Sequence, residues 1–278
     1  MKPLIAPQEI THLDTQKTVF IDASGTPNSK ESYLNEHLAG ALFVDLNKQL
    51  SSIGEDPAYG GRHPLPDVHQ FGRLLSHLGI SPEHHVVLYD HMSGANAAAR
   101  FWWMLMAVGH QKVQVVNGGF KAIQDAGLSL ASGEMLLNPC NEKYPTNDWQ
   151  LASVGLEDVI TASISGNQII IDVRESKRFD GQTEPIDLIA GHIPNAINIP
   201  FQSNLDNDGR FKSSDALKEL YHTKLEHLEN KPVIVHCGSG VTACHTILAM
   251  YYADLPLPAL YTGSWSEWSR RDLPMITL

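Results

Sequence analysis

Four short motifs occur twice along this chain, in the same order. Val19-Phe-Ile-Asp-Ala-Ser24 matches Ile169-Ile-Ile-Asp-Val-Arg174, which sets Asp22 opposite Asp172 at the end of a buried strand. His37-Leu-Ala-Gly-Ala-Leu-Phe-Val-Asp45 lines up with His192-Ile-Pro-Asn-Ala-Ile-Asn-Ile-Pro200, and Val86-Val-Leu-Tyr-Asp90 with Val233-Ile-Val-His-Cys237. Val116-Asn-Gly-Gly-Phe120 then answers Tyr261-Thr-Gly-Ser-Trp265. Four matches in register predict a tandem duplication of one structural unit. Within each unit, short Val/Ile-rich strands alternate with helical stretches such as 67–78 and 215–228, the pattern of a mostly parallel sheet flanked by helices. An α/β chain in two copies is therefore expected: 1–135 as the first unit, 136–150 as a connection with Pro139, Pro145 and several Asn, and 151–278 as the second.

The length of 278 residues agrees with two domains, each long enough to bury its own core. No apolar run approaches the ~20 residues that span a bilayer, and the start, Met1-Lys-Pro-Leu-Ile-Ala, has no sustained apolar stretch of the secretory kind. A cytoplasmic protein that does not enter a membrane is expected. The formal net charge of −11 argues against nucleic acid as a partner, although it leaves room for a small cationic pocket. Three cysteines, Cys140, Cys237 and Cys244, form neither a metal-ligand cluster nor a disulfide framework. Free thiols are expected, and no metal or organic cofactor is called for. Cys140, in the connecting stretch, has no expected chemical role.

The chemistry concentrates where the two copies differ. After the β-branched run ending at His236, Cys237 opens a loop in which Gly238 and Gly240 bracket Ser239, and apolar residues then recur at Val241, Cys244 and Leu248. Strand, tight loop and helix place backbone N–H groups and the positive end of a helix dipole around Cys237, so a thiolate there is stabilised and nucleophilic. The first copy has Asp90 at this position, a poor substitute for a thiolate. The second unit thus reads as the active one and the first as a scaffold. Cys244, on the apolar stripe of the helix, is expected to pack.

Two reactions suit a cysteine in an anion-cradling loop. His236-Cys237 resembles the opening of the cysteine phosphatase signature, but the position of the phosphate-clamping Arg holds Ala243. Without that guanidinium, phosphoryl transfer loses its main cationic partner, whereas transfer of an uncharged sulfur atom needs none. A third possibility is a non-catalytic binding module in which Cys237 relays sulfur to a partner protein.

Cys237-Gly-Ser-Gly-Val-Thr-Ala243 resembles the active-site loop of the 3-mercaptopyruvate sulfurtransferases of the rhodanese superfamily, whose thiosulfate-preferring members carry Arg-Lys where this chain has Gly238-Ser239. Gly191-His-Ile-Pro194, Gly263-Ser-Trp-Ser-Glu-Trp268, Arg100-Phe-Trp-Trp103 and Arg178-Phe179 are further landmarks. The resemblance implies two tandem rhodanese-like domains with five-stranded sheets. It also implies a two-step transfer from a small-molecule donor, 3-mercaptopyruvate or thiosulfate, through a Cys237 persulfide. The acceptor would be cyanide or a thiol such as thioredoxin or a glutathione-like molecule. Arg178 matches a donor-binding arginine, and Gly238, Gly240, Val241, Thr242 and Ala243 form the substrate loop; Arg174, beside Asp172, is expected to make a structural ion pair and to lend positive field to the substrate pocket. Ser239 and His63 match two members of a proton-handling triad, the second lent by the other domain. Where that triad has an acid this chain has Asn47, and where a second donor-binding arginine stands, nine residues after the first, it has Asp187.

Overall fold

The protein is described by a computed structural model covering residues 1–226 and 231–277. Packing separates the chain into two units. The first comprises Met1–Ser52, Pro66–Leu151 and Asp208–Arg210; the second comprises Ile53–Leu65, Ala152–Asn207 and the chain from Phe211 onward. The stretch 136–150 lies in the first unit without helix or strand, its backbone bonded at Cys140 N to Ser76 O and at Gln150 N to Ala107 O.

In the first unit the strands are β1 (Leu4–Ile5), β2 (Thr18–Ser24), β3 (His37–Leu38), β4 (Leu42–Asp45), β5 (His85–Tyr89), β6 (Val113–Val116) and β7 (Leu130–Ala131). Five of them form a sheet in the order β1-β6-β5-β2-β4, every pairing parallel. The central strands are apolar on both faces because helices cover both: Ile21, Val87, Leu88 and Val115 are fully buried. The stretch expected as a helix over 67–78 is one at Val68–His77, and Asp67 caps it by accepting from the N–H groups of His69 and Gln70.

The second unit carries β8 (Ser153–Val154), β9 (Ile169–Asp172), β10 (Ala196–Asn198), β11 (Val233–His236) and β12 (Ala259–Tyr261). Their order, β8-β12-β11-β9-β10, again all parallel, repeats that of the first unit strand for strand. Asp22 pairs with Tyr89 across the first sheet and Asp172 with His236 across the second, so the residues that follow, Asp90 and Cys237, are equivalent. The repeat extends to side chains: His37 stacks on Tyr33 and His192 on Phe179, with each Nδ1 within 2.8 Å of a carbonyl of the same aromatic residue. The helix expected over 215–228 runs Ser214–Leu225, and residues 227 and 228 lie outside the described residues. Among the described residues no helix is long and apolar enough to cross a membrane, and no cluster of three or more His, Cys, Asp or Glu could hold a metal ion.

Candidate active site

Cys237 begins where β11 ends, at the carboxyl edge of the second sheet, the side on which parallel α/β sheets gather their sites. Its backbone is fixed from the segment after β12: Ser264 Oγ accepts from Cys237 N at 3.2 Å, and Trp265 N donates to Cys237 O at 3.0 Å. Ser266 N holds Gly238 O at 2.8 Å. The Cys237 side chain is nearly enclosed, and the N–H of Ser239 points at its Sγ from 3.4 Å.

Gly240 makes the loop possible. It adopts φ +71°, and a Cβ there would stand 2.6 Å from Thr262 O, so neither conformation nor space admits a side chain. Val241 and Ala243 are buried, and the helix Ala243–Tyr252 starts at Ala243, with Thr242 as its cap residue. Cys244 therefore sits in the first turn, fully buried, with its thiol directed at Gly240 O. All three cysteines are free.

Ser239 is the hinge of the polar arrangement. Its Oγ lies 2.8 Å from Nδ1 of His63. His63 belongs to the first half of the sequence, yet its segment, Ile53–Leu65, packs in the second unit. Gly60 N is held there by Glu267 Oε1 at 2.8 Å and Arg62 N by Ser266 Oγ at 3.0 Å. Gly61, at φ +80°, lies so close that a Cβ would collide with the Gly263 carbonyl. Asn47 lies on the first unit, exposed in the first turn of the short helix Leu46–Gln49.

Arg174, Arg178 and Arg62, near the Cys237 loop, are each paired with a carboxylate. Arg174, almost without exposed surface, reaches Asp172 Oδ2 at 2.6 Å, the Gly191 carbonyl at 2.6 Å and Glu184 at 3.2 Å, and its guanidinium stacks on Trp265. Every nitrogen of its fork thus serves the frame of the site. Burial alone would raise the Asp172 carboxyl, but Arg174 and His236 outweigh it and hold it below the usual range. Burial pushes His236, beneath the loop, down.

Arg178 extends from the short helix Ser176–Phe179, with Nη2 2.7 Å from Glu184 Oε1 and 3.2 Å from Asp187 Oδ2. Burial works against its charge, yet Glu184, Asp187 and Cys237 together hold it above its ordinary value. Glu184, lowered despite burial by Arg178, also accepts from the N–H groups of Ile186 and Asp187 and so folds the turn that carries them. Sequence reading passed over Glu184 and Arg270, which bear no motif; Arg270 reaches Asp187 Oδ1 at 3.5 Å.

The equivalent loop of the first unit is filled. Asp90 takes five backbone N–H bonds, from Met92, Gly94, Asn96, Ala97 and Ala98, at 2.8–3.2 Å. Its carboxylate occupies a ready-made anion cradle at the position that Cys237 holds in the second unit.

Comparison with known proteins agrees with this geometry. A family model described as the rhodanese-like domain matches residues 8–126 and again 156–271. A probable 3-mercaptopyruvate sulfurtransferase of Pseudomonas aeruginosa is 40% identical over 85% of this chain and 82% of its own. Thiosulfate sulfurtransferase of Rattus norvegicus is 36% identical over 91% of this chain and 86% of its own. The solved structure of 3-mercaptopyruvate sulfurtransferase from Leishmania major superposes with a TM-score of 0.83 at 30% identity, covering 96% of this chain and 74% of that one. With one family domain in each half and the same strand order in both sheets, the chain belongs to the rhodanese family.

Proposed function

We propose that the protein is a sulfurtransferase that takes sulfur from 3-mercaptopyruvate, holds it as a persulfide on Cys237 and passes it to a thiol or to cyanide. The hydrogen bond between Ser239 Oγ and His63 beside Cys237 carries this reading, because it supplies a proton path where the departing group needs one. The Cys237 thiolate attacks the donor sulfur and forms an S–S bond while the carbon–sulfur bond breaks. The electron pair leaves on carbon as pyruvate enolate, which takes up a proton through Ser239 and His63 to give pyruvate. The donor's S–H proton balances the one consumed, leaving Cys237 as a persulfide anion. An acceptor thiolate then attacks the outer sulfur, departs as a persulfide and restores the Cys237 thiolate. Arg178 and Arg62 are suited to the donor's carboxylate, since a guanidinium fork matches carboxylate geometry. Ala243, with no charge to clamp a phosphate, stands against phosphatase chemistry.

Thiosulfate is the second donor to consider, because the rat relative named for it is as similar as several named for mercaptopyruvate. A glutathione-like thiol, thioredoxin or cyanide would serve as acceptor, and a reducing cytoplasm would keep Cys237 competent. Incubation with either donor should add ~32 Da at Cys237 by intact mass, the increment of one sulfur on the oxidation ladder of cysteine. Cys237→Ser should add none. No adduct from either donor would overturn the proposal, and an adduct that only a specific protein discharges would make the chain a relay instead.

A further inference from the structure

Beside Cys237, three guanidinium groups converge on one carboxylate. Asp187 Oδ1 lies 2.9 Å from Arg62 Nε and 3.5 Å from Arg270 Nη1, and Oδ2 lies 3.2 Å from Arg178 Nη2 and 3.3 Å from Arg62 Nη2. The Asp187 side chain has no exposed surface, whereas Arg62, Arg178 and Arg270 keep 25%, 11% and 21% of theirs, so solutes can reach the cations but not the carboxylate they surround. An ideal Cβ on Gly238 would stand 2.9 Å from Arg62 Nη2, 3.2 Å from Asp187 Oδ2 and 3.4 Å from Arg178 Nη2. The cluster therefore rests on the residue next to the nucleophile.

The two acidic residues of this segment do different work. Glu184 ties Arg178 to Arg174 and folds the turn through the N–H groups of Ile186 and Asp187. The Asp187 carboxylate bonds to guanidinium groups from three separate parts of the chain. That is the arrangement a bound carboxylate would adopt among the same arginines.

We propose that Asp187 is a resident anion that competes with the donor's carboxylate for Arg62 and Arg178, and so sets the affinity of the site for anionic donors. The inference rests on the proposed reading of a carboxylate-bearing donor. Competition and positioning predict opposite signs. If Asp187 competes, removing its charge strengthens donor binding; if it only holds the arginines in place, removal weakens it.

Two measurements separate these. With 3-mercaptopyruvate, Asp187→Asn is expected to lower KM about tenfold, the effect falling on KM more than on kcat. The second readout needs no sulfur transfer: the ratio of Cys237 alkylation by anionic iodoacetate to that by neutral iodoacetamide, referred to the ratio for free glutathione. It should rise about tenfold from the unaltered protein to Asp187→Asn, which loses the carboxylate that now offsets part of the charge of the three guanidinium groups. Asp187→Ser repeats both measurements should the amide variant fail to fold. A rise in KM, or no change in KM or in the alkylation ratio, would overturn the proposal. Absence of a persulfide from 3-mercaptopyruvate in the unaltered protein would overturn the donor reading, while the alkylation ratio would still decide the role of Asp187.

Discussion

Ser239 makes two contacts in the proposed site: its N–H faces Cys237 Sγ and its hydroxyl faces His63. Ser239→Ala keeps the first contact and removes the second. It should lower kcat with 3-mercaptopyruvate about a hundredfold, the usual range for losing a positioned proton carrier, while iodoacetamide still alkylates Cys237 at near the unaltered rate. Comparing turnover with alkylation checks this. Cys237 and Ser239 were legible because strand end, glycines and nucleophile sit within one short stretch, a local signal. The surroundings of Asp187 were not. Sequence gave it only as a missing cation, because its partnership with Arg62 joins residues 125 positions apart and no local pattern encodes such a pair. Arg178, expected to face the donor, carries a carboxylate on both sides for the same reason.

The unit of recognition is the strand, loop and helix that follows β5 in one copy and β11 in the other. Long buried runs made these strands readable, and the helical stretch from 67 to 78 proves to be capped by its first residue, Asp67. The edge strands β1 and β8 hold two residues each, too few for any periodicity, and belong to the sheet only because a neighbour pairs with them. The start of the helix after Cys237 was also hidden, since Val241 continues the apolar pattern although the helix begins only at Ala243. In the first copy, Asp90 is the ligand of its own loop. Asp90→Asn would turn an amide toward donors that now share a carboxylate, so a loss of about 2–4 kcal/mol is expected, the cost of leaving several buried donors unsatisfied. Urea unfolding of the two proteins measures it.

Across the whole molecule, acid should be felt before base. Burial pushes His110 down to about 4, and its ring is enclosed between the Tyr144 hydroxyl and the Lys112 carbonyl. Below the unperturbed value of 6.5 the unfolded chain takes up a proton that the folded chain refuses until near pH 4. Stability from this group is thus complete above pH 6.5 and declines as pH falls through that window, by at most about 1.4 kcal/mol per pH unit. Urea titrations at pH 7, 6 and 5 should show a shallower decline for His110→Gln than for the unaltered protein. His236, shifted the same way by burial, contributes equally to both and drops out of the comparison.

The division into two units hides a trade. Ile53–Leu65, from the first half of the sequence, packs with the second unit, and Asp208–Arg210, from the second half, packs with the first. Each traded piece holds a glycine with positive φ followed by arginine, Gly61-Arg62 and Gly209-Arg210. Gly61 meets Gly263, and Arg210 lies against Gly118, the same position in the other copy. A gene truncated to residues 151–278 would therefore encode a protein without Arg62 and His63, and one truncated to 1–150 would lack Arg210. Once the copies had exchanged these pieces, neither could be deleted without maiming the other, so the duplication runs in one direction only: a pair of domains that can diverge in chemistry but no longer part company.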